Sequence, residues 1–535
     1  MPENASTDRT EQIAVRMYRG LLGDCFLLRH EIGQRRYHAL IDCGVLQCIG
    51  ATKPNTKQGV AHIVDVVRDI AEVTSGHLNL VIGTHEHYDH LSGFILENEV
   101  FNRMAIDGVW MAWTEDPHDD LAQAILQKRS KGLAGLTALV DPATQPASLA
   151  AAARDPAVAD RLASIVDMLQ FYGEIEPWTP APGQGVSGKK PYVPREPKIP
   201  PRSCADVFAW LRNKVGADKV SYLSPGQQVR FGLDERLVAN VLGPPRTRAR
   251  LTQLDPSPGA AREVYLTQSD EVEALASNLT FQALQGPDDP DNLLAKSDFP
   301  FANRFRRSDP ERAVDALSVL YYAPQHRDRR IDGEWLGTAE TLALKIDGDV
   351  NNTSLALAIE IPGEDVLLFP ADAQVGNWLS WHDQKYPSEP RNAAGKKSAA
   401  DLLSRVILYK VGHHASHNAT ARTLGLELMT SPELVAMIPV VAAVAREQVT
   451  KSNKDGWAMP YGDLYDRLKE KCRDRIVRGD GDPAAERAAF GAPASRFSIT
   501  HGPGADPLWV ELATPTDAPR TAAAEPVRDS ARLLA

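Results

Sequence analysis

Thr84-His85-Glu86-His87-Tyr88-Asp89-His90 sets four side chains able to ligate a metal within six positions, directly behind the apolar run LNLVIGT at 78–84. A compact apolar run of that length reads as a buried strand. If strand geometry persists to position 87, His85 and His87 project to one side. Asp89 and His90 then fall on the loop or first helical turn that follows, facing the same point. Such a cluster offers two neighbouring metals nitrogen and oxygen ligands without a thiolate.

Upstream, AVRMY, DCFLLRH and RYHALID within 13–46 are short apolar runs separated by Gly and charged turns, a strand meander. GVAHIVDVVRDIAEV at 59–73 carries apolar residues at helical spacing. The order strand, helix, strand, histidine cluster predicts an α/β core. Downstream, LAQAILQKR and the stretch 149–172 read as helices and lead into a Pro/Gly/Lys-rich linker at 176–201. Strand signals return at QQVRF and RLVANVLGPP, then at 316–323, 341–346, 353–361 and 365–371, and in VILYKVG, which ends at His413. The run 432–446 suits strand or helix equally. The Ala/Pro-rich end beyond Thr514 is expected to be disordered.

Composition narrows the class. With 535 residues, 43% hydrophobic and 24% charged, the chain can bury a core of ordinary size. A formal charge of −11 argues against a broad nucleic-acid-binding face. Five scattered cysteines form no C-x-x-C pair, so neither a disulfide framework nor a zinc ribbon is expected. The polar start lacks a secretion signal, and no apolar run reaches membrane-spanning length. These features predict a cytoplasmic protein with no membrane association. No P-loop and no G-x-S-x-G elbow is present.

His85–His90, as H-x-H-x-D-H, and Leu40-Ile41-Asp42-Cys43-Gly44 resemble the first two signatures of the metallo-β-lactamase superfamily. Four further segments are similar to one branch of it: Gly23-Asp24-Cys25-Phe26-Leu27-Leu28 to a "GDxxLI" strand, and Asn351-Asn352-Thr353-Ser354-Leu355 to "NNxSL". Phe369-Pro370-Ala371-Asp372-Ala373 is similar to a "TGD" turn, and Gly412-His413-His414-Ala415-Ser416 to "HHGS". That branch includes the hydrolase domain of the bacterial DNA-uptake competence channel and cell-surface phosphorylcholine esterases. The likeness covers about 12–120 and 315–420 and leaves the middle of the chain uncovered. Three departures stand out: alanines replace the glycines of "TGD" and "HHGS", Ser92 stands where many relatives carry Gly, and no third-motif histidine is evident. His118 and His326 are the candidates for that last role.

The resemblance implies an αββα four-layer sandwich with helical and loop insertions. Its first half would span 12–120, followed by a mainly helical insertion and linker at 121–220 and core strands at 221–247. A second insertion at 248–314, a second half at 315–513 and a disordered tail at 514–535 complete the division. It implies metal ligation by His85, His87, Asp89, His90, Asp372 as a bridge, and one of His413 and His414. Asp42 would orient the histidines from behind, and Asp89 and Asp42 would be the catalytic carboxylates. Two zinc ions are the default, with manganese or iron as alternatives. The implied activity is hydrolysis by a metal-bound hydroxide of a phosphodiester, in a small molecule or nucleic acid. Lactam, lactone or thioester hydrolysis is the rival chemistry. A metal-binding regulatory or scaffold protein, recruiting a protein partner through its insertions, is the rival class. Trp110, Trp113, Trp378 and Trp381 are expected in the core, and His417 in a loop. The basic runs at 304–307 and 326–330 are expected to be solvated.

Overall fold

The computed structural model describes residues 10–46, 56–140, 162–173 without 164 and 167, 200–253, 314–323 without 322, 346–387, 396–447, 456–491 and 496–515. Among these the protein is a mixed α/β molecule built on two large mixed sheets.

The first sheet opens with the expected meander, β1 (Glu11–Tyr18), β2 (Cys25–Ile32) and β3 (Arg35–Cys43), all antiparallel. A two-residue turn joins β2 to β3, and Gly33 takes it at φ +61°, which glycine adopts without steric cost. After helix α1 (Thr56–Val73), the sheet continues in parallel through β4 (Leu80–Gly83), β5 (Val109–Ala112) and β6 (Val220–Leu223). The second sheet repeats the plan. Antiparallel β7 (Gln228–Phe231), β8 (Leu237–Gly243), β9 (Ala356–Glu360) and β10 (Val366–Phe369) are followed by parallel β11 (Val406–Lys410), β12 (Val435–Ile438) and β13 (Ile476–Arg478). The chain then returns to the first sheet, where β14 (Ser498–His501) and β15 (Trp509–Pro515) extend its β1 edge.

Strand alternation sorts the side chains. Ile13, Val15, Phe26, Ile41 and Ile82 of the first sheet share one buried cluster with Leu237, Val241, Leu357, Phe369, Ile407 and Met437 of the second. The intervening residues point the other way. Leu27, Leu40 and Val81 pack against Ile63, Val66 and Ile70 of α1, Leu91 and Phe94 of α2 (Tyr88–Leu96), and Phe208 and Leu211 of α4 (Cys204–Val215). On the far side of the second sheet, Leu368, Tyr409 and Ile438 meet Trp378, Trp381, Leu402, Leu464 and Leu468. At roughly 1.5–3 kcal/mol per fully buried large apolar side chain, these three clusters hold the fold.

Several expectations need correction. Residues 316–323 carry a helix, Ala316–Tyr321, rather than a strand. Leu317, Val319 and Leu320 are more than half exposed on it, so its apolar composition does not mark a core strand. Of 341–346, only Ile346 is described, and it begins a helical turn, while 341–345 lie outside the described residues. Thr514 and Pro515 close β15, paired with Ile13 and Gln12, instead of opening a disordered tail. The ambiguous run at 432–446 divides into β12 and a helix, Ala442–Glu447. Helix α3 (Asp120–Val140) agrees with the expected helical insertion, whereas the linker at 176–201 falls outside the described residues up to 199.

Candidate metal centre

In both sheets the side chains of interest lie where parallel strands end. Asp42 is the penultimate residue of β3, and His85 follows β4. Asp372 follows β10, and His413 and His414 follow β11. The two sheets are tied at this edge, since the Leu355 N–H donates to the Thr84 carbonyl at 3.0 Å. Close backbone approach needs glycine at two points. A Cβ on Gly44 would sit 2.2–2.3 Å from the Asp89 carbonyl and the His90 nitrogen, and one on Gly23 would meet Gly44 and Asp89 oxygens at 2.5–2.7 Å. Asp24, Asp42, Asp89 and His90 therefore share one small space.

His85, His87, Asp89, His90, Asp372 and His414 are all at most 4% exposed. Three sets of ligand atoms lie within 4.8 Å of one another: His85 with His90 and Asp372, Asp89 with Asp372 and His414, and Asp24 with Asp42 and His90. The buried His and Asp groups could thus hold a metal ion. His87 belongs to none of the three sets, but its Nδ1 is 3.2 Å from His85 Nε2. His413 is only half-buried and stands apart: its N–H donates to Asp372 Oδ1 at 2.9 Å and its Nδ1 lies 3.0 Å from Ser416 Oγ. His414 is therefore the histidine of the pair that joins the cluster.

The supporting contacts explain the orientation of each ring. Asp42 accepts the Thr84 N–H at 2.9 Å and the Thr84 hydroxyl at 2.6 Å, and its Oδ2 lies 2.7 Å from His90 Nδ1. That leaves His90 Nε2 facing Asp372 Oδ2 at 3.3 Å, and neither atom has a hydrogen-bond partner. His414 Nδ1 is 2.7 Å from the Pro439 carbonyl, so its Nε2 turns to Asp89 Oδ2 at 3.0 Å. Asp89 Oδ1 and Asp24 Oδ1 are likewise buried without a partner. Buried polar atoms are rarely left so. His90 Nε2 and Asp372 Oδ2, facing each other without a partner, could hold a cation between them.

Charge leads to the same conclusion. Among the described residues Lys410 is the one buried ammonium near these carboxylates: it is paired with Asp24, lies 3.4 Å from Asp372 Oδ1 and feels the charge of Asp42. Burial disfavours the charged Lys410, but Asp24 and Asp372 hold its pKa above the ordinary value. Burial also opposes a charged His90, yet Asp372, Asp24, Asp42 and Asp89 drive it well up. Against its own burial, Asp89 is held down to about 2 by His90 and His414. Burial lowers both His85 and His87, His85 further through His90 and His87, and His87 to about 4 despite the opposing charge of Asp89.

Motif residues that are not ligands hold this geometry. The Asn352 side-chain amide donates to the carbonyls of Arg250 and Leu251, and Ser354 Oγ accepts the Asp372 N–H at 3.2 Å. Ser92 binds both the N–H and the carbonyl of Val45. The small residue that matters is its neighbour, Gly93, whose added Cβ would lie 2.4 Å from Cys43 Sγ. Ala371 and Ala415 hold φ of +51° and +62°, so both turns keep the left-handed backbone that glycine favours despite the alanines.

Other candidates fall outside the cluster. His118 is exposed, His417 is exposed with its ring 6.2 Å from that of Tyr461, and His326 and the basic runs lie outside the described residues. Trp110, Trp113, Trp378 and Trp381 are buried in the core. Sequence reading missed Asp24 and Lys410 as site residues. A lysine inside the otherwise apolar β11 was the available signal. It also missed the buried pairing of Arg129 on α3 with Glu86 and Glu115, for which no local pattern exists. No protein-family model and no curated protein matches the chain.

Proposed function

We propose that this protein is a metal-dependent hydrolase of the metallo-β-lactamase fold, an αββα sandwich with insertions, using two divalent cations. What carries this reading is the convergence of His85, His90, Asp89, Asp372 and His414 from both sheets with unpartnered buried ligand atoms. Imidazole and carboxylate ligation favours zinc, with manganese or iron as alternatives. Cations held there would supply Lewis-acid chemistry, polarising a substrate oxygen and making water acidic near neutral pH. The chain's own part is preorganisation. Asp42 fixes His90 through Nδ1, Pro439 fixes His414, and Ser354 and Lys410 fix Asp372. Asp89, ionised down to about 2, presents Oδ1 as a proton acceptor beside the reacting atoms. The thiols of Cys25 and Cys204 are buried and pushed well up by that burial, so neither is a nucleophile.

A phosphodiester is the substrate class we favour, in a small molecule or a nucleic acid. It rests on the resemblance of the six motif segments and not on a pocket. No helix among the described residues is long and apolar enough to cross a membrane. The test is direct: metal analysis of purified protein, then turnover of a chromogenic phosphodiester and a chromogenic β-lactam with zinc or manganese. Phosphodiester turnover that disappears in Asp372→Ala supports the reading. Turnover of the lactam alone moves the protein to the rival chemistry. Bound metal with no turnover of any ester assigns a binding role.

A further inference from the structure

We infer that Asp347 is a positioning residue for His87, its carboxylate placed to draw the outward Nε2–H of that imidazole and turn Nδ1 toward His85 and the metal centre. The inference rests on the metal-dependent reading above and assigns a function to a segment that none of the motifs covers.

The pattern is set by the other three histidines. Each has one ring nitrogen engaged on the outside of the cluster: His85 Nδ1 lies 3.1 Å from Thr84 Oγ1, His90 Nδ1 2.7 Å from Asp42, and His414 Nδ1 2.7 Å from the Pro439 carbonyl. Their Nε2 atoms face inward. His87 is reversed. Its Nδ1 is the inward atom, 3.2 Å from His85 Nε2, and its Nε2 faces out toward Asp347 Oδ1 at 3.3 Å and the Tyr172 hydroxyl at 3.4 Å. Asp347 Oδ1 is buried and makes no hydrogen bond, its 3.3 Å approach to His87 Nε2 being a charge contact, although the side chain as a whole is 25% exposed. A carboxylate behind a ligating imidazole fixes the tautomer and raises the basicity of the inward nitrogen.

The position of Asp347 follows from packing on both sides of it. Ile346 and Val350, on the same helical turn, are buried with Leu133 and Leu136 of α3 and with Tyr172. Immediately beyond, the Asn352 amide clamps the chain to the carbonyls of Arg250 and Leu251. α3 is anchored in its turn by Arg129, which pairs with Glu86 between the two ligating histidines. The region between the motifs thus reaches back to the one histidine that the motifs leave without an orienting partner.

Two readouts test this, one of which needs no metal. In metal-free 15N-labelled protein, long-range 1H–15N spectra should show His87 as the Nε2–H tautomer, and Asp347→Ala should shift it toward the Nδ1–H form. In a cobalt titration followed by visible absorption, the parent should take up two equivalents. Asp347→Ala should weaken one of them by about 10–100-fold, the usual cost of losing an orienting group, and leave the other unchanged. Leu136→Ala loosens the same packing without touching His87, so it should lower Tm and leave tautomer and affinities intact. Parental tautomer and cobalt binding in Asp347→Ala overturn the inference, as does a Leu136→Ala protein that reproduces both defects. A parent that binds no cobalt defeats the metal reading instead, and the tautomer measurement still decides the role of Asp347.

Discussion

The two sheets deliver their shares of the metal cluster in different ways. The first places His85, His87, Asp89 and His90 on one strand end and the first turn of α2. The second takes Asp372 from the end of β10 and His414 from the end of β11, 42 positions further along. The first arrangement is a local motif. The second exists only once β10 and β11 pair in parallel. A cluster split in this way cannot form in either half alone, so metal binding should report folding of the whole two-sheet core. The strongest test of that statement is to remove the group both halves share. Asp372 appears in two of the ligand sets, so Asp372→Ala should abolish binding of both ions, whereas His85→Ala should spare the one held by Asp89 and His414. Metal stoichiometry of the two purified variants decides this, and equal losses would show that the two ligand sets are not separable sites.

Charge balance separates the halves next. The first contributes Asp24, Asp42 and Asp89, while the second contributes both Asp372 and the only buried ammonium among them, Lys410. Lys410→Met should cost about 3–5 kcal/mol in the metal-free protein, the usual result of leaving buried charges unpaired. Urea unfolding with and without zinc should show most of that loss recovered in the loaded form. A mutant as stable as the parent without metal would mean that Asp24 does not depend on Lys410. Gly44→Ala attacks the opposite half. Its Cβ has no room against Asp89 and His90, so a loss of about 1–3 kcal/mol is expected by urea unfolding. Because the displaced backbone carries two ligands, metal affinity should fall with it.

The pH dependence has a definite sign. His90 and His414 are raised in the metal-free protein against the opposing effect of burial, His90 chiefly by Asp372 and His414 chiefly by its bond to Asp89. A metal must displace these protons. Apparent affinity should therefore fall as the pH is lowered through their values, by up to about tenfold per pH unit for each proton released. The metal-free protein's own stability runs oppositely for the two kinds of group. The contribution of His90 is present below its unfolded value and lost as pH rises through the folded one. That of Asp89 is present above its unfolded value and lost as pH falls toward about 2. Isothermal titration at several pH values in buffers of different ionisation enthalpy gives the proton count, and a count of zero would remove both histidines from the ligand set.

The same contrast explains what the sequence revealed. The 85–90 cluster, the meander and α1 are legible because their signals are local: residue spacing, alternation and Gly-bounded turns. Asp372 and His414 became candidates only through short motif likenesses, and spacing could not say which histidine of the pair turns inward. The Pro439 carbonyl that accepts from His414 Nδ1 and so decides it lies just past the end of β12. Lys410 was hidden because a strand buried on both faces reads as apolar regardless of one charged member. Asp347 and Arg129 were invisible, since each reaches the centre only through the packing of α3. The 316–321 helix misled for the opposite reason: its residues are apolar but exposed, so composition pointed to a core that is not there.

Backbone strain is the smallest difference between the halves, and the most local. Around the centre the first half holds Asp42 at φ +54°, whereas the second holds Ala371, His413, His414 and Ala415 all between +44° and +62°. For an L-residue with a Cβ this costs roughly 1–2 kcal/mol per residue. Such strain persists only where surrounding contacts over-determine the backbone. Here those contacts are visible: the Ala415 N–H donates to the Gly412 carbonyl at 2.9 Å and its carbonyl accepts the Tyr461 N–H at 2.8 Å. Ala415→Gly removes the steric cost but gives the unfolded chain more freedom, which offsets about 0.4–1 kcal/mol. The net expectation is a gain of about 0–1.6 kcal/mol in unfolding free energy, with metal affinity unchanged because His414 remains fixed through Pro439. If Ala415→Gly instead loosened the metal, the turn itself, and not the Pro439 bond, would be what aims His414.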